Sequence, residues 1–72
     1  MDNSFRQRVI AEKAELDERL VRLAAFIDTT ATYKALPREE QERLSIQRHL
    51  MGALSGVLGA RIAAFPQEHK NG

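Results

Sequence analysis

The sequence has no cysteine and no tryptophan, and only two prolines and two histidines in 72 residues. Without cysteine there is no disulfide framework and no thiolate, either as nucleophile or as metal ligand. A chain this short makes one small domain and buries only about 60% of the surface that its unfolded form exposes. Such a domain usually needs disulfides, a metal or a partner, and the first of these is excluded. An excess of one charge is also missing: 11 Lys and Arg stand against 10 Asp and Glu, a formal net charge of +1. Affinity for a nucleic-acid backbone scales with the phosphates neutralised, so this balance argues against general DNA or RNA binding. Long apolar runs are absent as well. The longest uncharged stretch, Leu50 to Ala60, is interrupted by Gly52, Gly56 and Gly59, and it is far shorter than the roughly 20 residues that span a bilayer. The segment from Met1 to Arg6 leads into charged residues, not the apolar core of a signal peptide, so the expected location is the cytoplasm.

What the sequence does have is helical periodicity. Ser4-Phe5-Arg6-Gln7 fits a capping box, in which Ser takes a free backbone N–H and Gln reaches back. Val9, Leu16, Leu20, Leu23 and Ile27 then recur at alternating three- and four-residue steps, with Arg6 and Lys13 completing the series. That is the narrow seam of a coiled-coil-like helix. The other side carries Glu15, Glu18, Arg19 and Arg22, with Glu15 to Arg19 and Glu18 to Arg22 as i,i+4 pairs. The spacing predicts a first helix over about 5–28 and a connection over about 29–36, where Asp28 to Thr32 concentrates residues that bond their own backbone outside helices. Pro37 suits a first helical position, Glu39 and Glu40 suit the first turn, and Pro66 ends the ladder. A second helix is therefore expected over about 37–65, with a polar tail over 66–72. The fold class is all-α: an antiparallel helical hairpin that assembles into a homo-oligomeric bundle.

The assembly follows from the second helix. Leu44, Gln47, Met51, Leu54, Leu58 and Phe65 form one stripe, and Ile46, Leu50, Ala53, Val57, Ala60 and Ala64 form another on a different side. Between them lie Ser45, His49, Gly52, Gly56, Gly59 and Ala63, nearly all small. A helix that is apolar all round is a buried helix, and one partner helix cannot cover it. The expected interface between copies is Leu50, Gly52, Ala53, Gly56, Val57, Gly59, Ala60 and Ala64.

No nucleophile elbow, phosphate loop, HExxH pair or dinucleotide glycine fingerprint occurs, so no enzymatic activity is expected. His49 and His69 lie outside the Glu-x-x-His spacing by which helical bundles hold metals, and no metal or cofactor is expected. Lys13 falls on a seam position, roughly opposite Gly52 in an antiparallel pairing, where its stem packs and its ammonium reaches water. Two cationic clusters remain. At the open end, Arg6, Arg8, Lys13 and Arg61 gather near Phe5 and Phe65; at the turn, Tyr33, Lys34 and Arg38 come together, with Arg48 further along. Arginine both stacks on rings and pairs with phosphate, so such mixtures suit an anionic nucleotide-like ligand. The candidate ligand-binding residues are Arg8, Lys13, Tyr33, Lys34, Arg48 and Arg61.

The stretch Arg8-Val9-Ile10-Ala11-Glu12-Lys13-Ala14-Glu15-Leu16-Asp17-Glu18-Arg19-Leu20, then Phe26-Ile27, Leu36-Pro37-Arg38-Glu39-Glu40-Gln41-Glu42-Arg43-Leu44, and Gln47 to Met51, resembles small uncharacterised helical-hairpin proteins of tailed bacteriophages. In building plan the chain is similar to phage sponge proteins that assemble into oligomers and sequester cyclic nucleotide immune messengers. That resemblance implies an anti-defence role in the host cytoplasm without catalysis. The alternative is an inhibitor or adaptor that grips a host protein through its apolar helix face.

Overall fold

In a computed structural model, described here over residues 4–66, the chain is all-helical, with no strand among the described residues. Three helices follow one another: α1, Ser4–Thr29; α2, Ala31–Lys34; and α3, Arg38–Ala64. α2 lies inside the stretch expected as a connection. Of the expected tail only Pro66 is among the described residues.

Side-chain chemistry at the α1 terminus turns the chain. Thr29 Oγ1 donates to the Ala25 carbonyl and Thr30 Oγ1 to the Phe26 carbonyl, each at 2.6 Å. Hydroxyls that bond backward in this way compete with the ladder and mark a helix end. Thr30, in an extended conformation, also accepts from Tyr33 N–H at 3.1 Å and so caps α2. Gln41 then fastens the turn: its Nε2 donates to the Lys34 and Leu36 carbonyls at 3.1 and 3.0 Å, while Tyr33 Oη donates to the Gln41 carbonyl at 3.1 Å. The Tyr33 ring stands edge-on to Phe26, with centroids 6.0 Å apart. Pro37, at ψ 149°, is the residue preceding α3 and not its first helical residue, and its carbonyl accepts from both Glu40 and Gln41 N–H at 3.0 Å.

α1 and α3 lie side by side in opposite senses, as the contacts of Phe5 with Phe65, Asp17 with Ser55 and Asp28 with Arg48 require. On α1 the covered positions include Arg6, Val9, Lys13, Leu16, Leu20, Leu23 and Ile27, the expected seam. On α3 and its capping residue Phe65 they run Gln41, Leu44, Arg48, Met51, Ser55, Leu58, Ile62 and Phe65, again in steps of three and four. Gln47 and Leu54, expected on this seam, are exposed, and Arg48, Ser55 and Ile62 stand there instead. The strict three-four rotation decides the matter, and the two polar intruders are satisfied by carboxylates of α1. Arg48 makes a two-pronged contact with Asp28 at 3.1 and 3.3 Å, and the Ser55 hydroxyl donates to Asp17.

Among the described residues only Val9 and Leu58, 3% and 1% exposed, are buried. Lys13 sits between them in the seam, but over Gly59 and not Gly52. A Cβ on Gly59 would stand 3.2 Å from Lys13 Cε. The Lys13 stem thus fills the space that a side chain would need, while Nζ bonds Asp17 at 2.7 Å. Gly52 and Gly56 face open space, with nothing within 4 Å of an added Cβ. No helix among the described residues is long and apolar enough to cross a membrane.

Two outcomes follow. Leu58→Ala removes the most buried side chain and is expected to cost about 3 kcal/mol, read as a lower urea midpoint at unchanged slope. The Lys13 ammonium and the Ser55 hydroxyl both bond the Asp17 carboxylate and hold its pKa below the usual 3.8. A depressed carboxylate contributes stability above its unfolded pKa, and that contribution is lost as pH falls through the folded value. The difference in thermal midpoint between the native chain and Asp17→Asn is therefore expected to be largest near neutrality and to shrink as the pH drops below 3.8. A gap that is constant with pH would assign the loss to packing.

Candidate functional site

The open end, where the start of α1 meets the end of α3, is built around two rings. Phe5 and Phe65 pack edge to face, with centroids 5.9 Å apart and planes at 70°. Each ring carries a guanidinium: Arg6 Cζ lies 6.0 Å from the Phe65 centroid and Arg61 Cζ lies 5.7 Å from the Phe5 centroid. The pairing is crossed, since each arginine takes the ring of the opposite helix. Contacts of this kind contribute about 0.5–1 kcal/mol at exposed sites, and here they hold two like charges around one ring pair. Among the described residues no carboxylate lies within ion-pair distance of Arg6 or Arg61. Arg6 Nε is moreover buried without a hydrogen-bond acceptor, an arrangement that ordinarily carries a penalty. Phe5 keeps 54% of its surface exposed. Arg8 is exposed and stands three residues beyond Phe5, on the same side of α1.

In the middle of the molecule the cation on the seam is paired. Lys13 is neutralised by Asp17, which Ser55 also bonds. The turn end is more open. A hollow of about 520 Å³ is lined by Tyr33, Leu36, Arg38, Gln41, Glu42 and Ser45. Its groups are already engaged: Arg38 pairs with Glu42 at 3.5 Å, and the Tyr33 hydroxyl is spent on the Gln41 carbonyl. Lys34 is exposed at this end and, among the described residues, has no carboxylate partner. A second hollow, of about 400 Å³, lies between the helices and is lined by Leu20, Val21, Ala24, Arg48, His49 and Gly52. Its only cation, Arg48, is held by Asp28.

The six candidate residues therefore separate. Arg61 is brought onto Phe5, and Arg8 lies on the adjoining turn of α1. Tyr33 and Lys34 share the other end. Lys13 and Arg48 are committed to carboxylates. Of the expected interface residues, Leu50, Gly52, Ala53, Gly56, Val57, Ala60 and Ala64 are exposed along α3, while Gly59 is half-covered by Lys13. No group of three or more His, Cys, Asp or Glu suited to a metal occurs among the described residues.

Asp17, Asp28 and Gln41 escaped the reading of the sequence. The i,i+4 spacing of Lys13 and Asp17 was visible signal; Asp28 and Arg48 are 20 residues apart and meet only through the fold. A double-mutant cycle of Asp28→Ala and Arg48→Ala is expected to give a coupling of about 0.5–1 kcal/mol, which falls as salt is added.

A protein-family model described as Sequestin matches residues 3–64, a span that contains Phe5, Arg6 and Arg61 and stops one residue short of Phe65. No curated protein and no solved structure matches the chain.

Proposed function

The chain belongs to the Sequestin family, and on that basis we propose that it is a helical hairpin whose copies associate and sequester a small anionic, nucleotide-like ligand without chemistry. Family membership carries the reading, because the family's name denotes sequestration. Arginines at the open end, with no carboxylate beside them among the described residues, supply the attraction for an anion. The phage setting and a cyclic nucleotide immune messenger as ligand belong to this same proposal.

Self-association is supported by what α3 leaves uncovered. Ile46, Leu50 and Val57 are 58%, 64% and 55% exposed on one stripe, and Gly52 and Gly56 beside them add no side chain to hold a neighbour away.

Native mass spectrometry of freshly purified protein tests both parts at once. The expected spectrum is a defined oligomer that carries extra mass of nucleotide size; Val57→Asp is expected to give a helical monomer. A folded native monomer would remove the assembly. A bare oligomer that ignores added cyclic nucleotides would remove the ligand and favour the second reading, in which the same stripe grips a host protein.

A further inference from the structure

We propose that the open end is the nucleotide site itself: Arg6 and Arg61 receive the phosphate, and the exposed surface of Phe5 receives the base. This placement rests on the sequestering reading above and narrows it to Arg6, Arg61 and Phe5, with Phe65 as the ring that Phe5 packs against. The two hollows hold cations that are already paired, and Arg8, Arg19 and Lys34, unpaired among the described residues, are not among the residues that line them. In the hollow beside Tyr33 the cation is paired with Glu42, and in the hollow beside His49 it is paired with Asp28. At the open end two guanidinium groups converge on one ring pair with no carboxylate between them among the described residues, and Arg6 Nε is buried with nothing to donate to. An anionic oxygen answers the first condition, since it neutralises the like charges and accepts from the planar forks of the arginines. The cation–π contacts fix each guanidinium against a ring, so less side-chain freedom is lost on binding. The ring pair adds selectivity. Phe5 is more than half exposed, and base-on-aromatic stacking contributes about 1–3 kcal/mol. A bare phosphate meets only the arginines and a bare nucleoside only the ring, so a ligand with both is favoured over either part.

The test uses the full chain with labelled arginine and phenylalanine side chains, followed by NMR while ADP, inorganic pyrophosphate and adenosine are added separately. ADP is expected to shift the Nε–Hε signals of Arg6 and Arg61 and the ring signals of Phe5 and Phe65. Pyrophosphate is expected to shift the arginine signals more weakly, and adenosine to move only the Phe5 ring. Arg61 is exposed, so Arg61→Glu is expected to keep its helical circular dichroism while losing about ten- to a hundred-fold in ADP affinity; Arg61→Lys is expected to fall between. If ADP moves signals near Tyr33 and Lys34 and leaves these four still, the placement is wrong. If none of the three probes moves them while a nucleotide-sized mass persists on the oligomer, the placement is again wrong and sequestration stands. An Arg61→Glu chain that is folded and binds ADP as the native chain does overturns it equally.

Discussion

Two long helices joined by one turn have a single interface to close, and the narrow row of side chains along it governs the rest of this molecule. The row rotates in steps of three and four on both helices, which keeps α1 and α3 in register over their length. It is thin. Among the described residues Val9 and Leu58 alone are buried, and between and beyond them the seam also holds the Lys13 stem, Ser55, Arg48 and Gln41. Apolar burial of this extent leaves little margin over the entropy of ordering a chain. The polar seam residues therefore serve register more than they serve stability: Asp17 can meet Ser55, and Asp28 can meet Arg48, in only one alignment of the helices.

The same carboxylates decide where positive charge is left over. Asp17, half-buried, and Asp28, exposed, pair with Lys13 and Arg48. Surface acids do the same for Arg22, Arg38 and Arg43. Among the described residues Arg6, Arg8, Arg19, Lys34 and Arg61 have no ion pair, and Arg6 and Arg61 meet on one ring pair, so a chain with a net charge of +1 gathers unpaired cations there without being basic overall. That distribution suits a small anion that touches two or three side chains, and it does not suit a polyanion that must be followed over many phosphates.

All-helical character was legible in the sequence because it depends on periodicity and on the positions of proline and threonine, both local properties. The α1 seam was legible for the same reason, since Val9, Leu16, Leu20, Leu23 and Ile27 are apolar where the rotation demands it. The α3 seam was obscured. Hydrophobicity favoured Gln47 and Leu54 through their neighbours, whereas rotation placed Arg48 and Ser55 inward, where partners on another helix satisfy them. Those partners cannot be identified before the helices are paired. Lys13 shows the same limit: its seam position was visible, but whether it lies over Gly52 or Gly59 depends on a register set by Asp17 and Ser55. At the open end the residue types were legible, and the crossed stacking of Arg6 on Phe65 and Arg61 on Phe5 was not.

Crossed stacking also ties ligand and fold together. Each guanidinium is anchored to the helix opposite its own, so the four side chains act as a clasp between the start of α1 and the end of α3. Two like charges in that clasp repel, and the repulsion works against the last turn of the pairing. An anion bound there cancels the repulsion and engages the folded chain alone, so its binding free energy adds to the stability of the paired helices by mass action. A sequestering protein with so thin a seam gains from this coupling. Under the proposed placement, the chain that has taken up an anion there would be the one whose helices are held most firmly, and release would require opening that end.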